Sequence, residues 1–429
     1  MTALPKRVAI VGGNRIPFAR SNTAYVGHSN QQMLTAAIEG LAQRYKLQGA
    51  RLGEVVAGAV MKHSRDFNLT RESLLSTSLD PCTPCCDLQL ACGTGLQAVI
   101  TVANKIALGQ IDSGIAGGVD TTSDAPIAVS DGLRNVLLEA NRGRTMGDRV
   151  KALLKLRPRD IGIEIPQNAE PRTGLSMGGH TELTAKHWQI SREDQDALAC
   201  DSHRNLAAAY QAGFFNDLVS PYAGVKQDNI LRPDTTVEKL ATLKPAFDKK
   251  SGQGTLTAGN SSTLTDGASA VLLASEEWAQ AQGLPVLAYL SFVQVAAVDF
   301  RPGDNSEGLL MAPAYAVPQM LDKAGLTLQD FDFYEIHEAF AAQVLATLKA
   351  WEDETFCRDR LGREVLGSID RSKLNVNGSS LATGHPFAAT GGRIVATLAK
   401  MLEQNGGGRG LISICAAGGQ GVTAIMERP

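Results

Sequence analysis

No apolar run in the 429 residues approaches the ~20 needed to cross a bilayer, so no spanning helix is expected. A large excess of either charge is missing too, with 41 Lys and Arg against 44 Asp and Glu. A net charge of -3 with pI near 6.2 gives no global reason to expect nucleic acid, and an anionic ligand must meet a local basic patch. The apolar segment in MTALPKRVAIVGG is too short for a signal peptide, and AIMERP carries no peroxisomal or retention signal. A cytoplasmic location is the resulting expectation. Half of a zinc site is absent as well: Cys82 and Cys85 form a CxxC, but no second CxxC or nearby histidine pair completes it. No metal is therefore expected. Seven cysteines, an odd number, suit reduced thiols, most of them buried as small apolar residues.

What is present is a soluble globular composition, 44% hydrophobic and 20% charged, in a chain long enough for two or three domains or a duplicated one. RVAIVGG, then SNQQMLTAAIEGLAQRY with Met33, Ala37, Leu41 and Tyr45 at helical spacing, then EVVAGAV, reads as β-α-β and points to an α/β fold. CCDLQLA reads as a strand, CGTGLQAVITVANKIALGQ as a helix and DSGIAGGVDTTS as a strand. The last third repeats the grammar with FYEIHEAF, AAQVLATLKAW, HPFAATGGRIVATLAKML and GRGLISICAAGGQG. In each half a small-residue helix is followed by a strand ending in a glycine pair, Gly117-Gly118 and Gly418-Gly419, which suggests a duplicated domain. Residues 122 to 264 differ in character and read as an insertion carrying binding surface or oligomer contacts, with Ser191 capping a helix.

Four residues carry chemistry. Cys92, in LACGTGLQA, stands where a strand gives way to a helix, whose N-terminal amides favour thiolate; a structural cysteine at a tight turn is the competing reading. His385 lies between Gly384 and Pro386, which hold it at a turn and make it a candidate base for Cys92. His337 in HEAF and Cys415 in CAAGGQG complete the set. Cys415 suits proton transfer at carbon beside a thioester, and the amides after it suit a developing oxyanion.

In this order the motifs resemble those of the thiolase family, and the resemblance runs over nearly the full length. It implies a thiolase fold of duplicated βαβαβαββ core domains in five layers, α-β-α-β-α, with an inserted loop domain. Residues 1–121, completed by about 265–284, would form one core half and 285–429 the other, with 122–264 as the loop domain that binds coenzyme A. Matched residue by residue, Cys92 is the acyl-carrying nucleophile, His385 its activator and an oxyanion donor, and Cys415 the general acid and base. The backbone amides of Cys92 and Ala417 form a second oxyanion hole. Ser262 matches a pantetheine contact and Met177 a methionine of the acyl pocket. Coenzyme A and acyl-CoA are substrates, and no cofactor is implied.

Three departures stand out. His337 replaces the family's usual asparagine, a form similar to the degradative β-subunit thiolases of fatty-acid oxidation complexes; its imidazole N–H can still hold the oxyanion water, and its protonation would now affect rate. Ala417 replaces a glycine, and Ser176 stands where many thiolases have a histidine. The expected activity is reversible thiolytic cleavage of 3-ketoacyl-CoA in fatty-acid β-oxidation. A short-chain acetyl-CoA C-acetyltransferase, a ketoacyl synthase and a non-catalytic acyl-CoA carrier are the rivals. A homodimer or homotetramer and a hydratase/dehydrogenase partner subunit are further expectations. The basic stretch Lys151, Lys155, Arg157 and Arg159 suits coenzyme phosphates, an anionic membrane surface or a solvated face.

Overall fold

The computed structural model describes residues 5–303 and 306–429. The first half opens with β1 (Val8–Arg15), α1 (Asn30–Arg44), β2 (Glu54–Ala57), β3 (Cys85–Asp87), α2 (Thr94–Ala107) and β4 (Ser113–Asp120). In α1 the helical spacing buries Met33, Ala37 and Leu41, and Ser29 caps the helix reciprocally with Gln32. Tyr45 is the residue that ends it.

The middle of the chain contributes α3 (Asp131–Arg142), α4 (Met146–Leu153), α5 (Met177–His187) and α6 (Arg192–Gln211). Ser191 caps α6 as expected, accepting from the Asp194 amide. Helices α3 and α4 form an exposed hairpin on which Met146 and Leu154 are 74% and 79% accessible. The buried pair Arg15 and Asp228 ties the end of β1 to this middle segment.

The chain then returns to the core with β5 (Thr265–Ser275) and builds the second half from β6 (Ala288–Ala297), α7 (Pro313–Ala324), β7 (Phe333–Ile336), α8 (Ala341–Glu352), α9 (Thr390–Gln404), β8 (Gly408–Ala416) and β9 (Gln420–Arg428). The strands lie in the order β7-β8-β9-β6-β1-β5-β4-β2-β3. Duplication is visible in their directions. β2 runs parallel to β4, which is antiparallel to β5, which is antiparallel to β1. β7, β8, β9 and β6 repeat that series. The counterpart of β3 is reduced to one parallel bridge, Tyr334 to Leu374. The two halves meet through a short antiparallel contact, Ala9 with Tyr289 and Ile10 with Ala288.

Helices α2 and α9 lie together between the halves, in a core that includes Leu96, Val99, Val271, Ile394, Val395 and Ile412. Separate cores pack the outer helices, α1 against the first half and α7 with α8 against the second. Every residue of α9 from Thr390 to Leu402 is buried, as suits a helix enclosed on all sides. Its close approach to α2 requires glycine: a Cβ on Gly391 would lie 2.1 Å from the Leu96 nitrogen. Cys92 and His385 therefore precede the N-terminal ends of two equivalent, touching helices.

Candidate active site

Cys92 lies on the turn between β3 and α2. Ala91 adopts a left-handed conformation, φ 44°, and the Thr94 hydroxyl closes the turn by accepting from the Leu90 amide and donating to the Ala91 carbonyl. The helix begins at Thr94, so the sulfur precedes the first turn rather than sitting within it.

His385 approaches from the other half. Gly384 has φ 99°, and a Cβ there would meet the Thr265 side chain at 2.5 Å, so glycine is required on both counts. The His385 Nε2 lies 3.0 Å from Cys92 Sγ, and its Nδ1 lies 2.7 Å from the Thr390 hydroxyl. Residues 387–389 form a single 3-10 turn before α9, so HPFAATGGRIVATLAKML, which reads as one helix in the sequence, is helical only from Thr390. The Asp120 carboxylate pins this turn by accepting from the amides of Ala388, Val60 and Met61.

His337 follows β7, buried, with its ring centroid 4.2 Å from that of His385 and its Nδ1 2.9 Å from the Ser380 hydroxyl. The next residue of the HEAF box, Glu338, accepts from Ser202, Asn375 and the Leu381 amide, joining the box to the segment that carries His385. Cys415 is buried on β8. The amides of Ala417 and of Cys92 itself face the Cys92 sulfur. Gly418 donates to the Glu170 carboxylate, which braces that loop.

Electrostatics correct one sequence expectation. Burial pushes the Cys92 thiol up to about 12, with the Ala417 amide pulling it back, and lowers His385 to about 3. Thiol and neutral imidazole, not an ion pair, face each other at neutral pH, because the desolvated setting outweighs the helix end. Burial, then the neighbouring Cys92, raises Cys415, and burial holds His337 well below its ordinary value. The Cys92, His337 and His385 donor atoms lie within 4.8 Å of one another, the spacing a soft metal would need, but Cys92 and His385 engage each other directly.

The chain matches the family models for the thiolase N-terminal domain over residues 8–277 and the thiolase C-terminal domain over residues 284–428. This chain belongs to the thiolase family. A 3-ketoacyl-CoA thiolase of Yersinia pestis (strain Pestoides F) is 42% identical over 428 residues, 98% of this thiolase and 97% of that protein. Among solved structures, human mitochondrial 3-ketoacyl-CoA thiolase in complex with CoA is similar at TM-score 0.81 and 29% identity, with 99% and 98% of the two chains covered. Bacillus anthracis acetyl-CoA acetyltransferase is similar at TM-score 0.80 and 29% identity, with 99% of each covered.

In the thiolase, Cys92, His337 and His385 gather at one point. Ser262 is half-buried, and its amide donates to the carbonyl of Ala339 in the HEAF box. Met177 opens α5 and packs on the second-half core, while the Ser176 hydroxyl caps that helix. A cleft beside Ser262 is lined by Arg20, Arg232, Asp234, Lys239, Thr263 and Leu381, with Lys239 paired to Asp234 at 2.7 Å. None of its lining residues comes from the 151–159 stretch, whose four cations are exposed. Sequence reasoning missed Asp120, Glu170, Thr390, Ser380 and Arg393, each of which acts through a contact distant in the chain or carries no motif of its own.

Proposed function

We propose that this thiolase cleaves 3-ketoacyl-CoA with coenzyme A, releasing acetyl-CoA and an acyl-CoA two carbons shorter, as a step of fatty-acid β-oxidation. The 3.0 Å pairing of Cys92 Sγ with His385 Nε2 carries the reading. His385 takes the Cys92 proton as the sulfur attacks the 3-keto carbon, so the pair needs no resting thiolate. The C2–C3 bond breaks, and the electron pair passes to the enolate of acetyl-CoA. N–H groups of His385 and His337 hold that enolate oxygen, and the Cys415 thiol delivers a proton to C2. Cys415 then takes the proton of incoming coenzyme A, whose sulfur displaces the acyl group from Cys92, and His385 returns its proton to the departing Cys92 sulfur. The amides of Cys92 and Ala417 stabilise the tetrahedral oxyanions at the acyl carbon.

In this reading Ser262 meets pantetheine and Met177 lines the acyl pocket, while Arg20 and Arg232, beside the Lys239–Asp234 pair in the cleft, suit coenzyme phosphates. A short-chain acetyl-CoA C-acetyltransferase would use the same four residues. The 42% identity over nearly the full length to a 3-ketoacyl-CoA thiolase favours the longer-chain reading. Acetyl-CoA release from a graded series of 3-ketoacyl-CoA substrates separates the two. Cleavage of the longer members supports this proposal, and activity confined to acetoacetyl-CoA overturns it.

With this reading go a cytoplasmic setting, favoured by seven unpaired thiols, and assembly as a homodimer or homotetramer. The outermost strand β3 leaves one edge open for a second copy. The hairpin of α3 and α4, with its exposed Met146 and Leu154 beside the cations of 151–159, suits an anionic membrane surface or a hydratase/dehydrogenase subunit. No helix among the described residues is long and apolar enough to cross a membrane.

A further inference from the structure

An asparagine side chain always presents an N–H; an imidazole presents one at Nε2 in only one of its neutral tautomers. His337 therefore raises a requirement that the family's usual asparagine does not. Its Nε2 is buried and has no hydrogen-bond partner, which leaves it free for a ligand atom in the catalytic pocket. Its Nδ1 meets the Ser380 hydroxyl at 2.9 Å.

Ser380 has one other side-chain partner among the described residues. Arg393, buried on α9, places Nη2 2.9 Å from the Ser380 oxygen and 3.2 Å from that of Ser379. Burial lowers the Arg393 guanidinium to about 10, with Glu335 and Glu338 pulling it back, so it keeps its charge at neutral pH. A guanidinium has hydrogens to give and no lone pair to receive one, so the Ser380 oxygen accepts from Arg393. The remaining hydroxyl hydrogen then has a single acceptor within reach, His337 Nδ1. The opposite arrangement would direct two donors at the Ser380 oxygen and leave a buried O–H without an acceptor.

We propose that Ser380, oriented by Arg393, is a positioning residue that fixes His337 in the Nε2–H tautomer, so that the imidazole donates to the reacting thioester oxygen. The relay runs from Arg393 to Ser380 to His337 and ends at the enolate oxygen. Ser380 touches no substrate. The inference deepens the thiolase reading and rests on it for the kinetic consequence, whereas the tautomer itself is a property of the resting protein.

The test is 15N NMR of the full-length protein labelled at histidine, with the His337 signals assigned by their loss in His337→Asn. The expected spectrum shows unprotonated Nδ1 and protonated Nε2 in the wild type, and a mixture of tautomers in Ser380→Ala. A protonated Nδ1 in the wild type overturns the proposal, whatever the variants do. Kinetics supply the second arm. Ser380→Ala should lower kcat for 3-ketoacyl-CoA cleavage about tenfold or more, approaching the loss of one oxyanion donor, and Ser380→Thr should restore most of it. In a His337→Asn background the Ser380→Ala penalty should vanish, since an amide has no tautomer to set. An equal penalty in both backgrounds marks a merely structural serine and overturns the proposal. Absence of cleavage by the wild type on every substrate would instead refute the thiolytic reading and leave the NMR result to decide the tautomer.

Discussion

His385 Nε2 stands 3.0 Å from Cys92 Sγ across 293 residues of chain, and both groups are held neutral by burial. The pair thus stores its proton on sulfur until substrate arrives. Alkylation of Cys92 by iodoacetamide, followed on its own peptide by mass spectrometry, should accelerate steadily from pH 6 to pH 9. A rate already level below pH 7 would mean a resting ion pair and contradict the neutral assignment.

Cys415 lies in the same enclosed setting but plays a later part, protonating carbon. Cys415→Ala should lose carbon-carbon cleavage by about a hundredfold or more while acyl exchange between thioesters at Cys92 persists. Exchange of labelled coenzyme A into acyl-CoA measures the second activity. Wild-type cleavage in this variant would remove Cys415 from the mechanism.

Asp120 joins the turn after His385 to the loop at Val60 and Met61. Burial raises its carboxyl to about 7, with those amides pulling it back. A carboxyl held above its unfolded value contributes stability in full below about pH 4 and loses it as pH rises through the folded value. Asp120→Asn does not titrate, so its melting temperature should fall less than the wild type's between pH 5 and pH 8. Its amide also turns N–H toward a donor, and kcat should fall about tenfold to a hundredfold as His385 shifts. Parallel melting curves, or unchanged kcat, would contradict these roles.

Asp228, fully buried, accepts from Arg15 at 2.6 and 2.7 Å, from the Tyr210 hydroxyl at 2.8 Å and from the Phe18 amide at 2.7 Å. Asp228→Ala strands a buried guanidinium and should cost about 3–5 kcal/mol in urea denaturation. A loss below about 1 kcal/mol would show that the pair behaves like an exposed one.

Cys92, His337 and His385, whose donor atoms lie within 4.8 Å of one another, were legible because each sits in its own short motif at the end of a regular element. Helix α1 was legible from the burial of Met33, Ala37 and Leu41 at helical spacing. Asp120, Glu170 and Ser380 were not, because what they do depends on partners up to 268 residues away. The glycine pairs misled in detail. Gly418 and Gly419 turn the chain between β8 and β9 with φ 81° and 73°, but Gly117 and Gly118 lie inside β4. There a Cβ on Gly118 would strike the Ala388 carbonyl oxygen at 2.1 Å, so that glycine admits the His385 turn. The duplication is carried by strand direction, which a single sequence does not display. The raised Cys92 thiol was equally out of reach, since burial is set by both halves packing around it.

The most direct measurement is intact-protein and peptide mass spectrometry after mixing the enzyme with a 3-ketoacyl-CoA in the absence of free coenzyme A. A Cys92 acyl-enzyme requires release of acetyl-CoA and a mass gain on Cys92 equal to the shortened acyl group, discharged when coenzyme A is added. Acetyl-CoA release with no adduct on Cys92, or an adduct on Cys415 instead, would contradict it.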